Sequence, residues 1–357
     1  MKKAFVVVLS IGILLALAVT LFGERLLVRA MKAQVQANIS GNVLNELPDG
    51  LHLFLCGAGA PLPDPTRAGP CIMVLAGNAL YVVDIGSGAA RNFGPMGIPS
   101  GRVDALLLTH FHSDHIDGIG ELMTTRWAAG AKKEPMPIYG PPGVGQIVAG
   151  FNQAYSQDFE YRIAHHGKTV TDPRGAGAVA LPFALPAMGQ AVEVLSRNGL
   201  QITAFAVEHE PVEPAVGYRF DYKGRSLVIS GDTKASENLR DFSKAVDLLA
   251  HEALSPDVVG IMGDAAEAEG ATHIHKITVD ILDYHTTPVE AAQIAQQAQV
   301  KHLLLYHLVP PLPVKPLEFL FMRGVDDAFD GPTTLGRDGM LFSLPAGSDE
   351  IRFEELL

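Results

Sequence analysis

The sequence predicts an α/β fold, because short buried strands alternate with helical segments along most of the chain. The run Ala105–Leu108 is wholly apolar and too short for a confident helix, so it is predicted to be a buried strand. Thr287-Pro288-Val289-Glu290 is a capping box with proline in the first turn, and it predicts a helix from Val289 to Gln299. A composition of 48% hydrophobic and 18% charged residues is ordinary for such a fold.

Five predicted strands end in side chains that can bind metals or transfer protons. These strands, each with its polar residues, are Ala105–Leu108 with His110, Ile202–Val207 with His209, Leu227–Ser230 with Asp232, Val246–Ala250 with His251 and Glu252, and Leu303–Tyr306 with His307. Earlier strands are predicted at Leu51–Leu55, Cys71–Ala76 and Ala79–Val83, the last of which ends on Asp84. Chance would scatter such residues along the strands, so we expect loops at one edge of the sheets to converge on a site.

The segment Thr109–Gly118 concentrates residue types that bind metals. It holds His110, His112, Asp114 and His115 within six residues, directly after a predicted strand. Imidazole nitrogen and carboxylate oxygen are ligands that zinc and similar divalent ions prefer. The spacing lets His110 and His112 reach one ion while Asp114 and His115 face another. A binuclear site is therefore favoured over a histidine-rich surface loop.

The N-terminus contains an uncharged segment, Ala4–Gly23, in which Phe5–Phe22 is almost continuously apolar. A membrane span needs about 20 apolar residues, whereas the apolar part of a cleaved signal is usually about 7–15 residues long. We therefore expect residues 1–23 to be a transmembrane anchor, with a cleaved signal segment as the alternative. Residues 24–50 are predicted to be a linker and residues 51–357 a catalytic domain. That domain is expected to be exported, periplasmic or otherwise extracytoplasmic, and soluble there if the segment is cleaved.

The chain is acidic, with 39 Asp and Glu residues against 27 Lys and Arg residues and a formal net charge of −12. Proteins that track a phosphate backbone usually carry the opposite charge, so no long nucleic acid is expected as a partner. Cys56 and Cys71 could form a disulfide in an oxidising compartment, or they could remain two buried thiols. A homodimer is compatible with the Ala-rich helix near the C-terminus.

The order of these motifs resembles that of the metallo-β-lactamase superfamily from Leu51 to the C-terminus. The resemblance rests on His110-x-His112-x-Asp114-His115, His209, Gly231-Asp232-Thr233 and His307, together with the early Asp84. It implies a four-layer αββα sandwich with two divalent metal ions at one edge. By motif, His110, His112 and His209 would hold the first ion and Asp114, His115 and His307 the second, with Asp232 bridging them. Zinc is the first choice, and manganese or iron are alternatives.

Two further motifs, His251-Glu252-Ala253 and His285-Thr286-Thr287, look like those of the ribonuclease Z and arylsulfatase-like branch. The resemblance implies that Glu252 orients His285 as the acid that protonates the leaving oxygen, since a carboxylate on one ring nitrogen fixes the tautomer. Asp84 and His251 would lie behind the ligands. Bacterial ribonuclease Z also carries a basic arm that grips tRNA. Here Gly167–Leu200, predicted to be an irregular insertion, offers as cations only Lys168, Arg174 and Arg197.

These features predict a metal-dependent hydrolase that cleaves a small anionic ester, a phosphodiester or an aryl sulfate, by a metal-bound hydroxide. Asp114 would accept the water's proton and His285 would serve the leaving group, and tRNA processing is not expected. A lactonase or carboxylic-ester hydrolase of the same fold is an alternative that would not need Glu252 and His285. A metal-binding module without turnover is disfavoured, because every expected ligand is present. Residues that could line the pocket are Phe93, Trp127, Tyr155, Tyr161, Arg162, His165 and His166.

Overall fold

The structure is a computed structural model, which describes residues 23–33, 35, 36 and 41–357. The chain divides into two compact units, Met1–Val43 and Leu44–Leu357, so that residues 44–50 of the predicted linker belong to the second unit. In the first unit, the described residues 23–33, 35 and 36 are helical. The predicted anchor or signal segment lies outside the described residues except for Gly23. Within the described ranges, no helix is both long and apolar enough to cross a membrane.

The second unit is built on two β-sheets. Its strands are β1 (Gly50–Gly57), β2 (Cys71–Ala76), β3 (Ala79–Val83), β4 (Val103–Leu107), β5 (Met136–Gly140), β6 (Ala178–Pro182), β7 (Ala191–Arg197), β8 (Leu200–Ala206), β9 (Val216–Tyr222), β10 (Arg225–Ile229), β11 (Leu248–Leu254), β12 (His302–Val309), β13 (Thr333–Leu335), β14 (Met340–Pro345) and β15 (Arg352–Glu355). Residues 41–357 arrange them as an eight-stranded sheet, β15-β14-β1-β2-β3-β4-β5-β6, and a seven-stranded sheet, β13-β12-β11-β10-β9-β8-β7. Every strand predicted from the sequence is present, with ends that differ by a few residues.

Helices cover the outer faces of both sheets. The α-helices of the second unit are α1 (Ala89–Asn92), α2 (Ser113–Ile116), α3 (Ile119–Gly130), α4 (Val144–His166), α5 (Glu237–Phe242), α6 (Pro256–Ala268), α7 (Thr272–Asp280), α8 (Pro288–Gln297), α9 (Lys315–Phe321) and α10 (Val325–Ala328), and single turns of 3-10 helix lie at Val43–Asn45, Ser100–Arg102, Pro173–Gly175 and Ile281–Asp283. Helices α3 and α4 contact β5 of the first sheet, and α8 contacts β11 and β12 of the second. The layers are therefore helix, sheet, sheet and helix, as the resemblance implied. The predicted capping box of α8 is present between Thr287 and Glu290.

A hydrophobic core between the sheets holds them face to face. Leu53 and Val74 of the first sheet and Phe220 and Leu227 of the second are all fully buried in it. Removing such side chains from water stabilises the fold by roughly 1.5–3 kcal/mol each. The apolar strand runs of the sequence thus supply the inner faces of the sandwich.

Strand direction places the functional residues at one edge of the sandwich. β3 and β4 are parallel neighbours in the first sheet, and β10, β11 and β12 are parallel neighbours in the second. Parallel strands present their carboxyl ends at a common edge, where loops can converge. Asp84 follows β3, His110 follows β4 and Asp232 follows β10.

The segment Gly167–Leu200 is not the irregular insertion that its Gly, Ala and Pro content predicted. It supplies β6, at the edge of the first sheet, and β7, at the edge of the second. Both edge strands are only partly buried. Their short apolar runs, which include Val192, Val194 and Leu195 of β7, lie among the Gly, Ala and Pro residues that suggested an irregular segment.

Some polar residues expected after strands lie inside them. His251 and Glu252 belong to β11, and His307 belongs to β12. The pairing of β11 with β12 shifts by one residue at His307, whose φ is 47°. A bulge of this kind re-aims a side chain, which lets a residue within a strand serve a site at its edge. Of the two alternatives for the cysteines, the structure has the disulfide, which joins Cys56 to Cys71.

Candidate metal centre

Asp84 fixes the loop that carries the first residues of the site. Its Oδ1 accepts a hydrogen bond from the backbone amide of Thr109 at 2.8 Å, and its Oδ2 accepts one from the Thr109 hydroxyl at 2.7 Å. Oδ2 also lies 2.8 Å from Nδ1 of His115. A ring nitrogen that faces a carboxylate carries the proton, so His115 turns Nε2 toward the other site residues.

The first candidate donor set comes from the loops after β4, β8 and β10. It consists of His110, His112, His209 and Asp232, whose donor atoms lie within 4.8 Å of one another. His209 Nδ1 donates to the backbone oxygen of Tyr284 at 2.9 Å, which leaves its Nε2 facing Oδ2 of Asp232 at 3.9 Å. Nε2 of His110 lies 3.8 Å from the same carboxylate oxygen. Three imidazoles thus surround one edge of a carboxylate.

The second candidate donor set, Asp114, His115 and His307, adjoins the first across Asp232. Oδ2 of Asp114 is 3.2 Å from Nε2 of His307 and 3.5 Å from Nε2 of His115. Oδ2 of Asp232 is 3.3 Å from each of these two ring nitrogens. Asp232 therefore lies between the two sets, where a bridging ligand would have to be.

Several buried side-chain atoms of the two sets lack hydrogen-bond partners, which is what a site for divalent cations requires. Nε2 of His110, His115 and His209 and Oδ1 of Asp232 are buried and form no hydrogen bond within the described part of the chain. Buried polar atoms are normally satisfied, so several orphaned ligand atoms in one place call for an explanation. Two divalent ions held by nitrogen and oxygen donors would satisfy them.

The pKa shifts within the cluster show which of its groups are in the protonation state that binds a metal ion. Burial and the charge of His115 hold the pKa of His110 well below its usual range, and burial also lowers the pKa of His209. Burial would raise the pKa of Asp232, but the charges of His307 and His115 hold it well below its usual value. Burial would lower the pKa of His115, but the negative charge of Asp232 holds this pKa well above its usual value. The ionised Asp232 and the neutral imidazoles of His110 and His209 are in the state that a metal ion requires. His115 keeps its proton without a metal ion and would release it on binding one.

His285 lies beside the two donor sets and is paired with a separate carboxylate, that of Glu252. Its Nδ1 lies 3.1 Å from Oε1 of Glu252, and the ring centroids of His285 and His209 are 5.4 Å apart. Burial by itself would lower the pKa of His285, but the charge and hydrogen bond of Glu252 raise it to about 9. His285 also shares a third possible donor set with Asp232 and His307. The geometry thus allows His285 to act as an acid or as a ligand.

The structure brings the predicted site residues together, and their roles as ligands and acid stay predictions. The converging residues are His110, His112, Asp114, His115, His209, Asp232 and His307, with Asp84 and the pair Glu252 and His285 bonded around them. His251 stands apart, because its Nδ1 meets the backbone oxygen of Glu252 at 2.7 Å and it makes no ring contact or ion pair with these ligands among the described residues.

Sequence reasoning missed two neighbours of the site. Thr109 tethers the histidine motif to Asp84, and Tyr284 lies against His209. Each directly precedes a singled-out histidine, which is the only signal that could have found it. Conversely, Phe93 and Trp127 are fully buried in the structure, so they do not line an open pocket.

Comparison with known proteins agrees with this arrangement of fold and ligands. Residues 82–308 match the family model described as a beta-lactamase superfamily domain. The chain belongs to the metallo-β-lactamase superfamily. Within it, ribonuclease Z of Mycobacterium avium (strain 104) is 35% identical over 264 residues, which cover 73% of this chain and 87% of that protein. Ribonuclease Z of Mycobacterium marinum (strain ATCC BAA-535 / M) is 32% identical over 291 residues, 81% of this chain and 96% of that protein. The predicted resemblance to the ribonuclease Z branch is confirmed.

Solved structures support the fold of this superfamily member. The metallo-β-lactamase fold protein YhfI of Bacillus subtilis superimposes with a TM-score of 0.56 at 21% identity, covering 83% of this chain and 100% of that one. The short form of human tRNase Z gives a TM-score of 0.55 at 22% identity, covering 82% and 99%. At these identities the likeness shows the shared sandwich of two sheets.

Proposed function

We propose that this superfamily member is a binuclear metal-dependent phosphodiesterase. The observation that carries the proposal is the hydrogen bond between Glu252 and His285 beside two candidate donor sets. Hydrolysis of a phosphodiester expels an oxygen that must be protonated, and this pair can supply that proton. A lactonase or carboxylic-ester hydrolase, the alternative of the same fold, would leave the pair without a role.

The residues divide the chemistry between them. Divalent ions in the two donor sets would acidify a water molecule and stabilise negative charge on the phosphoryl oxygens. Burial would raise the pKa of Asp114, but the charge of His115 and a hydrogen bond from His307 lower it, so the carboxylate is ionised. That is the state in which it can accept the proton that the water loses. Glu252 holds Nδ1–H of His285, which leaves Nε2 to protonate the leaving oxygen. The new P–O bond forms as the old one breaks, and both protons have a destination.

We further propose that the substrate is a small phosphodiester. The names of the relatives make RNA a second candidate, and this conflicts with the expectation that no nucleic acid is a partner. A small phosphodiester is preferred because the chain carries a formal charge of −12 and because residues 183–190, which join β6 to β7, contain no Lys or Arg. No basic arm is therefore formed at this connection. An aryl sulfate has no support from the names of the relatives and serves as a comparison substrate.

The identity of the metal, the oligomeric state and the location of the protein are further parts of the proposal. Zinc is the proposed metal, with manganese or iron as alternatives, because imidazole and carboxylate donors accept all three. A homodimer, attachment to a membrane through residues 1–23, and an exported position of the domain are also predictions that await their own tests.

The test uses the full-length chain with its metal content measured. It is assayed in parallel on bis(p-nitrophenyl) phosphate, a precursor tRNA with a 3′ trailer, p-nitrophenyl sulfate and a simple lactone. We expect metal-dependent turnover of the diester, abolished in Asp232→Ala and retained in Asp326→Ala, which removes an exposed carboxylate on α10. Turnover of the lactone alone would refute the proposal. Cleavage of tRNA far above that of the diester would establish the second candidate.

A further inference from the structure

Tyr284 occupies a fixed position at the rim of the site. It follows the 3-10 turn Ile281–Asp283 and directly precedes His285. Its backbone oxygen accepts the hydrogen bond from Nδ1 of His209 at 2.9 Å. On the other side of His285, the backbone amide of Thr286 donates to Glu252 at 3.0 Å. The main chain that carries Tyr284 is therefore held at both ends by residues of the site.

The ring of Tyr284 lies against two site imidazoles. Its centroid is 4.9 Å from that of His209, at an interplanar angle of 66°, and 4.7 Å from that of His285, at 37°. Tyr284 is only half-buried, and its hydroxyl makes no hydrogen bond to any residue that the structure describes. Part of an aromatic surface beside His285 is thus open to an incoming molecule.

We infer that Tyr284 packs against the leaving group of the substrate and makes the site prefer an ester whose leaving oxygen is attached to a planar aromatic group. This inference rests on the proposed function, in which His285 protonates that oxygen. Because the ring of Tyr284 lies against His285, it is in reach of a group attached to an oxygen that His285 protonates. Aromatic surfaces favour offset-stacked or edge-to-face contact with other rings, and nucleic-acid bases likewise stack on aromatic side chains.

The ring, rather than the hydroxyl, carries the inference. The two contacts with the imidazoles are made by the ring, and they place it without help from the oxygen. Tyr284→Phe should therefore keep the preference, whereas Tyr284→Ala should remove it. Both variants retain the backbone oxygen that orients His209, so the metal ligand itself is left in place.

The experiment compares two leaving groups of similar acidity on one phosphoryl centre. Methyl phenyl phosphate has an aromatic leaving group, and methyl hexafluoroisopropyl phosphate has one without a ring. Tyr284→Ala should lower kcat/KM for the phenyl ester about tenfold, the factor that ~1.4 kcal/mol represents, and change the fluoroalkyl ester little. Tyr284→Phe should match the parent on both. Phe319→Ala, which removes an exposed aromatic ring of α9, is the control.

If Tyr284 has only a structural role, Tyr284→Ala should lower kcat/KM equally for both esters, and that result would overturn the inference. Absence of turnover of any diester would refute the proposed function. The inference about Tyr284 can then still be tested by a binding measurement. Titration calorimetry of the metal-loaded protein with phenylphosphonate and methylphosphonate should show tighter binding of the phenyl compound. That advantage should disappear in Tyr284→Ala and persist in Tyr284→Phe. An unchanged advantage in the alanine variant would also overturn the inference.

Discussion

Replacement of His285 by alanine should impair hydrolysis most for substrates with poor leaving groups. Nδ1 of His285 is 3.1 Å from the fully buried Glu252 carboxylate, an arrangement that leaves Nε2 as the donor. An acid matters when the departing oxygen is basic and matters little when the leaving anion is already stable. General acid catalysis contributes about 10²- to 10⁴-fold, so we expect a loss of that size for alkyl esters and a much smaller one for p-nitrophenyl esters.

Glu252→Gln should give a weaker version of the same effect. The amide oxygen can still accept from Nδ1 of His285, but the hydrogen bond loses its charge. Hydrogen bonds to charged groups exceed neutral ones by about 1 kcal/mol, which corresponds to roughly fivefold in rate. Since Glu252 raises the pKa of His285, the basic limb of the kcat/KM profile should also move to lower pH in this variant.

The assay is a plot of log kcat/KM against the pKa of the leaving alcohol for methyl phosphodiesters, with metal content determined on every sample. The slope should become steeper in His285→Ala. His275→Ala is the matched control, because His275 lies on α7 and bonds to the backbone oxygen of Gly263 instead of the site. An equal loss across all leaving groups would refute the acid role. Loss of one metal equivalent in His285→Ala would show instead that His285 is a ligand, as its donor set with Asp232 and His307 allows.

Three further predictions concern the frame around the site. Asp84→Asn should weaken metal binding about 10- to 100-fold, measured by competition with a chelator, because the amide no longer offers His115 a charged acceptor; unchanged affinity would contradict the orienting role. Cys56→Ser with Cys71→Ser should lower the free energy of unfolding in urea by about 3 kcal/mol under oxidising conditions, since the disulfide closes a separation of 15 residues. Reduction of the parent should cause the same loss, and a reduced parent as stable as the oxidised one would argue against the bond as the cause. Burial lowers the pKa of His302 to about 4, so the unfolded chain binds more protons between its ordinary pKa and pH 4 and stability falls as pH drops through that range. His302→Gln should recover about 3 kcal/mol at pH 4 and nothing at pH 8, and parallel stability curves would refute this.

Most of the site could be predicted because its chemistry depends on residue type. His110, His112, Asp114 and His115 stand close together in the sequence, and their spacing after an apolar strand suffices to suggest two ions. Asp84 could be placed because it ends a strand in the same way. The central strands could be found because both of their faces are buried, one between the sheets and the other under the helices, which leaves a nearly continuous apolar run in the sequence.

Features that depend on local geometry were not accessible from the sequence. The edge strands β6 and β7 are only partly buried, and the Gly, Ala and Pro residues around them make their short apolar runs hard to recognise. The bulge that turns His307 out of β12 arises from pairing with β11, which no single segment records. Tyr284 contributes an aromatic ring whose importance comes only from the imidazoles it meets after folding.

A single oxygen atom connects the metal ligands with the proposed acid. Oε1 of Glu252 accepts from the backbone amide of Thr233 at 3.3 Å, from the amide of Thr286 at 3.0 Å and from Nδ1 of His285 at 3.1 Å. Thr233 directly follows Asp232, the candidate bridging ligand, while Thr286 directly follows His285. Because one buried carboxylate holds both loops, a change in the position of β11 would displace the ligand and the acid together. The loop that carries the candidate bridging ligand and the loop that carries the proposed acid are therefore anchored at the same point of β11.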